Sequence, residues 1–292
     1  MGRLRIATRG SAQARTQAEL VAARLDEVGL DSELVLVETY GDRTQADGVP
    51  LHSIGGQGVF VKEVQRAVLD GRADVAVHSA KDLPTDVAAG LRIAAFMERR
   101  SPADALVGRP LADLPDGATV ATGSVRRRAQ LRRARPDLEF VELRGNIHTR
   151  LDKLPEGGSI VMAVAALEIL GLTDRIAERL DPAEFVPAVG QGCVAVECRD
   201  DDDRVAAALA RIDHDATRRA VTIERAFLAE LGSGCSLPVG AYVDGRKLYA
   251  FLADETTGVT VSETIELSGA TDADVDAART AARDAHEHVT SR

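Results

Sequence analysis

Two short segments of this chain are built to one plan, and they constrain its fold more than any other feature. IATRGS (6–11) and VATGSV (120–125) each run from an apolar strand, through threonine and a short loop, to a serine placed to cap a helix. Strand and helix patterns alternate around both. RLRIAT (3–8) reads as a strand, and the helix capped by Ser11 runs to about Val28 and ends at Gly29. SELVLVE (32–38), ADVAVHS (73–79) and LRIAAFM (91–97) read as strands, with an amphipathic helix over GVFVKEVQRAVLDG (58–71). Such alternation predicts an α/β domain with parallel strands. Near residue 100 the pattern restarts. ATVATGS (118–124) is a strand before a Ser-capped helix, followed by LEFVEL (138–143), GSIVMAVAALEILGL (158–172) and a short helix near 174–180. The expectation is two similarly built α/β lobes.

FVPAVGQGCVAVECR (185–199) begins in Pro and Gly and ends as a strand, which suits a return crossing from the second lobe to the first. Two lobes joined by two crossings make a hinged cleft, a common place for ligands. A helix over 215–231 then leads into alternating apolar residues with turns at Asp244-Gly245 and Thr257-Gly258, the pattern of an antiparallel sheet. A last helix, about 271–288, closes a small α+β domain. The expected domains are 1–98 with 191–213, 99–190, and 214–292.

Charge narrows the ligand. The chain carries a net charge of −10, which makes nucleic acid an unsuitable partner. Residues 124–153 run against that trend, with nine cationic side chains and four carboxylates. A local cationic cluster in an acidic protein points to a small anionic ligand; a solvated helix face is an equal reading for Arg132 to Arg135. The longest apolar run, Ile160 to Leu172, is short and contains Glu168, so no membrane span is expected. MGRLRIATRGS lacks a signal-peptide core, and a cytosolic location is expected. Cys193, Cys198 and Cys235 are too few for a disulfide framework and show no zinc spacing. No metal is expected.

Several places have chemistry to offer. The turns Thr8-Arg9-Gly10-Ser11 and Thr122-Gly123-Ser124 each present unpaired N–H groups at a helix start beside arginines, a setting for anions as well as for plain capping. GGQGVFVKE (55–63) is Gly-rich before a helix but lacks the Gly-Lys-Ser/Thr ending of a P-loop, which excludes that class of NTPase. In VAVHSAKDLP (75–84) a buried-looking strand delivers Lys81 and Asp82 to its carboxyl end, where α/β sites lie. Asp82 in a cleft is suited to holding a cation. In LGSGCSLPVG (231–240), Cys235 sits among small turn-forming residues rather than in the apolar run where a packed thiol belongs.

Taken in order, RIATRGS, GGQGVFVKEVQRAVLDGRADVAVHSAKDLP, SVRRRAQL, LRGNIHTRL, FVPAVGQG and GCSLPVG resemble the porphobilinogen deaminase (hydroxymethylbilane synthase) family along nearly the whole chain. The resemblance implies two periplasmic-binding-protein-like α/β lobes joined by a hinge, plus a small C-terminal α+β domain. It implies a monomeric transferase of heme and tetrapyrrole biosynthesis (EC 2.5.1.61) that joins four porphobilinogen units head to tail and releases ammonia. It further implies a dipyrromethane primer in thioether linkage to Cys235. Cofactor contacts would come from Lys81, Asp82, Thr122, Ser124, Arg126, Arg127, Arg144 and Gly145. Substrate contacts would come from Arg9, Ser11, Phe60, Arg144, Arg150 and Arg175. Asp82 matches the catalytic aspartate, stabilising the cationic azafulvene left when ammonia departs. Acetate and propionate on every pyrrole make the growing chain a polyanion, which suits arginine. Arg128, Arg132 and Arg133 match no family role.

The chain departs from the family pattern at several points. Ser53 and Gln57 replace loop lysines, Ala121-Thr122-Gly123-Ser124 replaces Gly-Thr-Ser-Ser, and the glycines before the cysteine reduce to Ser233-Gly234. Two rivals explain less. A non-catalytic ligand-binding protein shares the two-lobed plan but leaves Cys235, the third domain and Asp82 without a purpose. A cysteine hydrolase needs a histidine base near the thiol, and no local pairing exists.

Overall fold

The computed structural model describes residues 2–39, 61–232 and 238–291. Three sheets organise the chain. The first has the order β2-β1-β3-β10-β4, from β1 (Leu4–Arg9), β2 (Ser32–Val37), β3 (Val75–Ser79), β4 (Leu91–Phe96) and β10 (Val194–Arg199). The second has the order β7-β6-β8-β5-β9, from β5 (Asp104–Val107), β6 (Thr119–Ala121), β7 (Glu139–Val141), β8 (Ser159–Ala163) and β9 (Ile176–Arg179). The third is an antiparallel meander of β11 (Val239–Asp244), β12 (Lys247–Ala253) and β13 (Thr260–Glu266).

The two larger sheets share one pattern. In each, the strand of the repeated motif (β1 or β6) lies parallel between its two successors, and one antiparallel strand follows. In the first sheet that strand is β10, running antiparallel to both β3 and β4. In the second it is β5, antiparallel to both β8 and β9. Both sheets are therefore mixed, which corrects the expectation of parallel strands. The antiparallel member is contributed by the chain entering or leaving the other lobe, so no local βαβ pattern announces it.

Helices pack as their apolar periodicity dictates. α1 (Ala12–Glu27) buries Gln17, Ala18, Val21 and Leu25 along one face, and α2 (Lys62–Leu69) buries Val64, Gln65, Ala67 and Val68. α3 (Val125–Ala134) follows β6, α4 (Ile147–Leu151) follows β7, and α5 (Val164–Ile169) follows β8 directly. α6 (Asp203–Leu209) is a short helix beyond those expected; α7 (Asp215–Glu230) and α8 (Thr271–Thr290) match their expected places. The expected helix near 174–180 is instead a single 3-10 turn, Thr173–Arg175, and then β9. Along β9, Ile176 and Glu178 are half-buried while Ala177 and Arg179 are exposed, the period-two pattern of an edge strand.

The described chain divides into two compact units, Met1–Arg100 with Cys193–Arg219, and Ser101–Gly192 with Ala220–Arg292. Residues expected as a separate third domain thus fall, from Ala220 onward, within the second unit. Their meander and α8 still enclose a core of their own, including Ile223, Phe227, Leu248, Leu252 and Ala282. Among the described residues, no helix is long and apolar enough to cross a membrane.

Candidate functional site

In the first unit, β1 and β3 are parallel neighbours, so their carboxyl ends deliver Arg9 and Ser11, and Lys81 and Asp82, to one edge of the sheet. Ser11 caps α1, its Oγ accepting from Ala14 N at 3.4 Å. Gln17 of α1 donates to Ser79 Oγ at 2.9 Å and ties the helix to the end of β3. The chain then makes a 3-10 turn, Ala80–Asp82, anchored by Ala80 N donating to Cys193 O at 3.0 Å. Lys81 is half-buried and Asp82 is exposed. The turn is anchored where β3 ends and is closed by Leu83 N donating to Ala80 O at 3.2 Å. Just behind it, His78 lies 3.1 Å from the Glu197 carboxylate, which also accepts from Gln65 Nε2 at 2.9 Å; all three side chains are buried.

In the second unit, Thr122 N donates to Val141 O at 2.9 Å, and Thr122 Oγ1 accepts from Ser124 N at 3.2 Å. Ser124 caps α3, accepting from Arg127 N at 3.4 Å. The helix turns Arg126, Arg127, Gln130 and Leu131 inward. Both arginines meet Asp104, a fully buried carboxylate: Arg126 Nη2 donates to Oδ2 at 2.7 Å and Arg127 Nη2 to Oδ1 at 2.6 Å. Burial by itself raises the Asp104 carboxyl, but the two guanidiniums outweigh it and hold the group well below the usual carboxylate range. Burial likewise lowers Arg126, against the opposing pull of Asp104.

After β7 the chain makes a tight loop. Gly145 has φ +120°, and a Cβ there would stand 2.7 Å from Thr149 Cγ2. Arg150 Nε donates to Gly145 O at 2.8 Å, Lys153 Nζ donates to Arg144 O at 3.1 Å, and Arg144 Nε donates to Glu142 Oε1 at 3.1 Å. Arg144, Arg150 and Lys153 thus wrap one short loop in positive charge. Arg175 is exposed in the turn before β9; β9 and β7 are opposite edges of the sheet, four strand spacings or about 19 Å apart. Of the unassigned arginines, Arg132 stacks over Phe140 at 5.2 Å and Arg133 donates to Ser262 Oγ. Arg135, beside them, pairs with Asp137 at 2.7 Å. Phe60 and Cys235, with Ser53 and Gln57, lie outside the described residues.

Sequence reasoning missed Asp104, Gln191 and the His78–Glu197 pair. Asp104 opens a strand too short to read, and Gln191 looks like part of a Pro/Gly connection. The one legible hint was His78 in the otherwise apolar VAVHS.

Residues 4–207 match the domain described as "Porphobilinogen deaminase, dipyromethane cofactor binding domain", and residues 218–285 match "Porphobilinogen deaminase, C-terminal domain". The chain belongs to the porphobilinogen deaminase family. It is 51% identical over 247 residues to the porphobilinogen deaminase of Acidothermus cellulolyticus, covering 82% of this chain and 74% of that one. It is 49% identical over 258 residues to that of Xanthomonas euvesicatoria pv. vesicatoria, covering 85% and 84%. To that of Syntrophus aciditrophicus it is 45% identical over 252 residues, covering 83% and 81%. Among solved structures, the methionine-binding protein MetQ aligns at TM-score 0.46 and 16% identity, over 74% of this chain and 92% of that one, too loose a likeness to carry an argument.

The cofactor of the porphobilinogen deaminase family is a dipyrromethane bearing carboxylate side chains, and the donors of the second unit fit it. One carboxylate, Asp104, faces two guanidiniums, so that buried cluster keeps a positive charge. The Gly145 loop adds three cations against one carboxylate, Glu142, and Thr122 and Ser124 add hydroxyl groups. An anionic, many-carboxylate group is what such a donor set holds.

Proposed function

We infer that this chain condenses four porphobilinogen units head to tail into hydroxymethylbilane, with release of ammonia, as the hydroxymethylbilane synthase (EC 2.5.1.61) of tetrapyrrole and heme biosynthesis. The match of both family domains along nearly the whole chain carries the reading. The dipyrromethane cofactor supplies, when bound, the pyrrole α-carbon that accepts each new unit.

The residues divide the work. Asp82 is the catalytic carboxylate: as the C–N bond of the aminomethyl group breaks and ammonia leaves, it stabilises the developing cation and assists proton transfer at the pyrrole. Its exposed position beside Lys81, at the carboxyl end of β3, supports this role. Arg126, Arg127, Arg144, Gly145, Thr122 and Ser124, with Lys81, hold cofactor carboxylates. Arg9, Ser11, Arg144, Arg150 and Arg175, with Phe60, hold those of the substrate. Charge-assisted contacts of this kind contribute roughly 1.5–3 kcal/mol each before desolvation. Cys235 is the thioether anchor. Hinged movement of periplasmic-binding-protein-like lobes, the three-domain division, a monomeric state and a cytosolic location belong to the same proposal.

Intact-protein mass spectrometry tests the anchor. A mass excess of two linked pyrrole units, absent from Cys235→Ser, is expected, and active wild-type protein with an unmodified Cys235 overturns it. Asp82→Asn is expected to bind porphobilinogen while turning over at least about a hundred-fold more slowly; near-normal turnover removes Asp82 from the mechanism.

A further inference from the structure

Asp104 divides its two oxygens among three side chains. Oδ2 accepts from Arg126 Nη2 at 2.7 Å. Oδ1 accepts from Arg127 Nη2 at 2.6 Å, from Arg127 Nε at 3.0 Å and from Gln191 Nε2 at 2.9 Å. The far side of each guanidinium is tied to a carbonyl, Arg126 Nη1 to Val186 O at 2.6 Å and Arg127 Nη1 to Val161 O at 3.0 Å. Neither arginine can swing without breaking two buried contacts. The cluster holds two guanidiniums and one carboxylate, and the excess charge stands where water is nearly excluded. A buried charge without a counterion is unfavourable, so the small exposed remainder of the pair favours an incoming anion.

The same contacts extend to Glu224 and Val243. Val186 to Gln191 forms a strap, held at one end by Arg126 and Gln130 on Val186 and near the other by Asp104 on Gln191. Within the strap, Gly190 N donates to Glu224 Oε2 at 2.8 Å, and Glu224 Oε1 accepts from Val243 N at 2.9 Å. Glu224 belongs to α7 and Val243 to β11, the two elements that flank Cys235 in the chain. The arginine pair, the strap, α7 and β11 are thus joined by one run of buried hydrogen bonds that includes two carboxylates, Asp104 beside the arginines and Glu224 beyond the strap.

We propose that Asp104 is the positioning residue of the cofactor site: it fixes the pose of Arg126 and Arg127 and leaves one of their two charges for a cofactor carboxylate. This rests on the reading above that those arginines bind the cofactor. Asp104 itself touches neither substrate nor cofactor, and it acts only through the guanidiniums.

The test uses apo-protein of the wild type, Asp104→Asn and Asp104→Glu, each incubated with porphobilinogen and followed by intact mass. Asp104→Asn is expected to keep its fold by circular dichroism yet gain the two-pyrrole mass about ten-fold more slowly, with Asp104→Glu recovering part of the rate. In the fraction that does load, KM for porphobilinogen is expected within about two-fold of wild type and kcat about ten-fold lower, because the acceptor rather than the substrate is misplaced. Folded Asp104→Asn that loads at the wild-type rate, or a raised KM with kcat unchanged, overturns the proposal. If Asp104→Asn does not fold, Gln191→Met keeps both ion pairs and removes the third donor. Loading several-fold slower with an unchanged melting temperature then supports the positioning role, and wild-type loading overturns it. Failure of the wild type to gain the mass at all refutes the parent reading and takes this one with it.

Discussion

A carboxylate with no water around it stays ionised only where opposite charge or hydrogen-bond donors offset its burial, and Asp104 meets that condition through Arg126 and Arg127. Asp74 is a milder case on the first unit. Partial burial raises it, but the Arg5 guanidinium, at 2.8 Å and 3.1 Å, and the Arg5 amide, at 2.9 Å, hold it below the usual range. A carboxyl with a depressed folded pKa contributes stability that is fully present above its unfolded pKa of about 3.9 and is lost as pH falls through the folded value. Unfolding free energy is therefore expected to drop on acidification below about pH 4. Asp74→Asn should cost about 1–2 kcal/mol at pH 7 and progressively less below about pH 4, as read from urea midpoints across that range; a penalty independent of pH would show that Arg5 does not hold the ionised form. Gly145 is a steric case. Its φ of +120° and the 2.7 Å approach of Thr149 leave no room for a side chain, so Gly145→Ala should cost roughly 1–3 kcal/mol and disturb the hydrogen bond from Arg150. Chemical denaturation checks the first expectation, and porphobilinogen KM checks the second.

Elements obey their local signals where those signals are complete. Ser11 and Ser124 cap α1 and α3 as the repeated motif suggests, because a serine oxygen before a helix satisfies an otherwise orphan N–H. α8 uses a cap the sequence does not advertise. Asp274, buried inside the first turn, reaches back to accept from Ser268 N at 2.6 Å, Ser268 Oγ at 2.8 Å and Gly269 N at 3.1 Å. Asp274→Ala strands those donors and should lower stability by about 2–3 kcal/mol, with amide exchange rising first in the 268–275 segment; uniform exchange along the chain would refute a local cap. β9 shows the opposite case. Thr173 to Arg179 has the composition of a short helix, yet pairing with β5 gives its backbone a partner, and the 3-10 turn merely starts the strand. Short segments are decided by the sheet edge beside them, since local propensity over a few residues is worth little against a ladder of hydrogen bonds.

At the scale of the molecule, a net charge of −10 coexists with a cationic stretch, 124–153, in the second unit, so the local field there opposes that of the whole. A covalently held polyanion should therefore stabilise the fold. Wild-type protein carrying its cofactor is expected to melt roughly 5–10 °C above Cys235→Ser in scanning calorimetry, from about two relieved cationic contacts; equal melting temperatures would mean the arginines gain nothing from the cofactor. The two-lobed α/β plan, the return crossing at 185–199 and the C-terminal meander are legible in the sequence because each rests on periodicities and caps that act within a dozen residues. Asp82 and the arginine cluster are legible for the same reason, a strand ending in charge and a run of cations in an acidic chain. Asp104 gives no such signal. It is one acid among many, in a strand of four residues, and becomes the centre of a buried frame only when β5 inserts antiparallel beside β8 and α3 turns two arginines onto it. Sequence by itself determined α1, α2, α3, α7 and α8, most strands and the alternation of strand and helix in two stretches, since these depend on local chemistry. Tertiary structure alone decided the mixed sheets, the strap and the internal ion cluster, because each is made by groups dozens of residues apart whose energies exist only once water has been excluded between them.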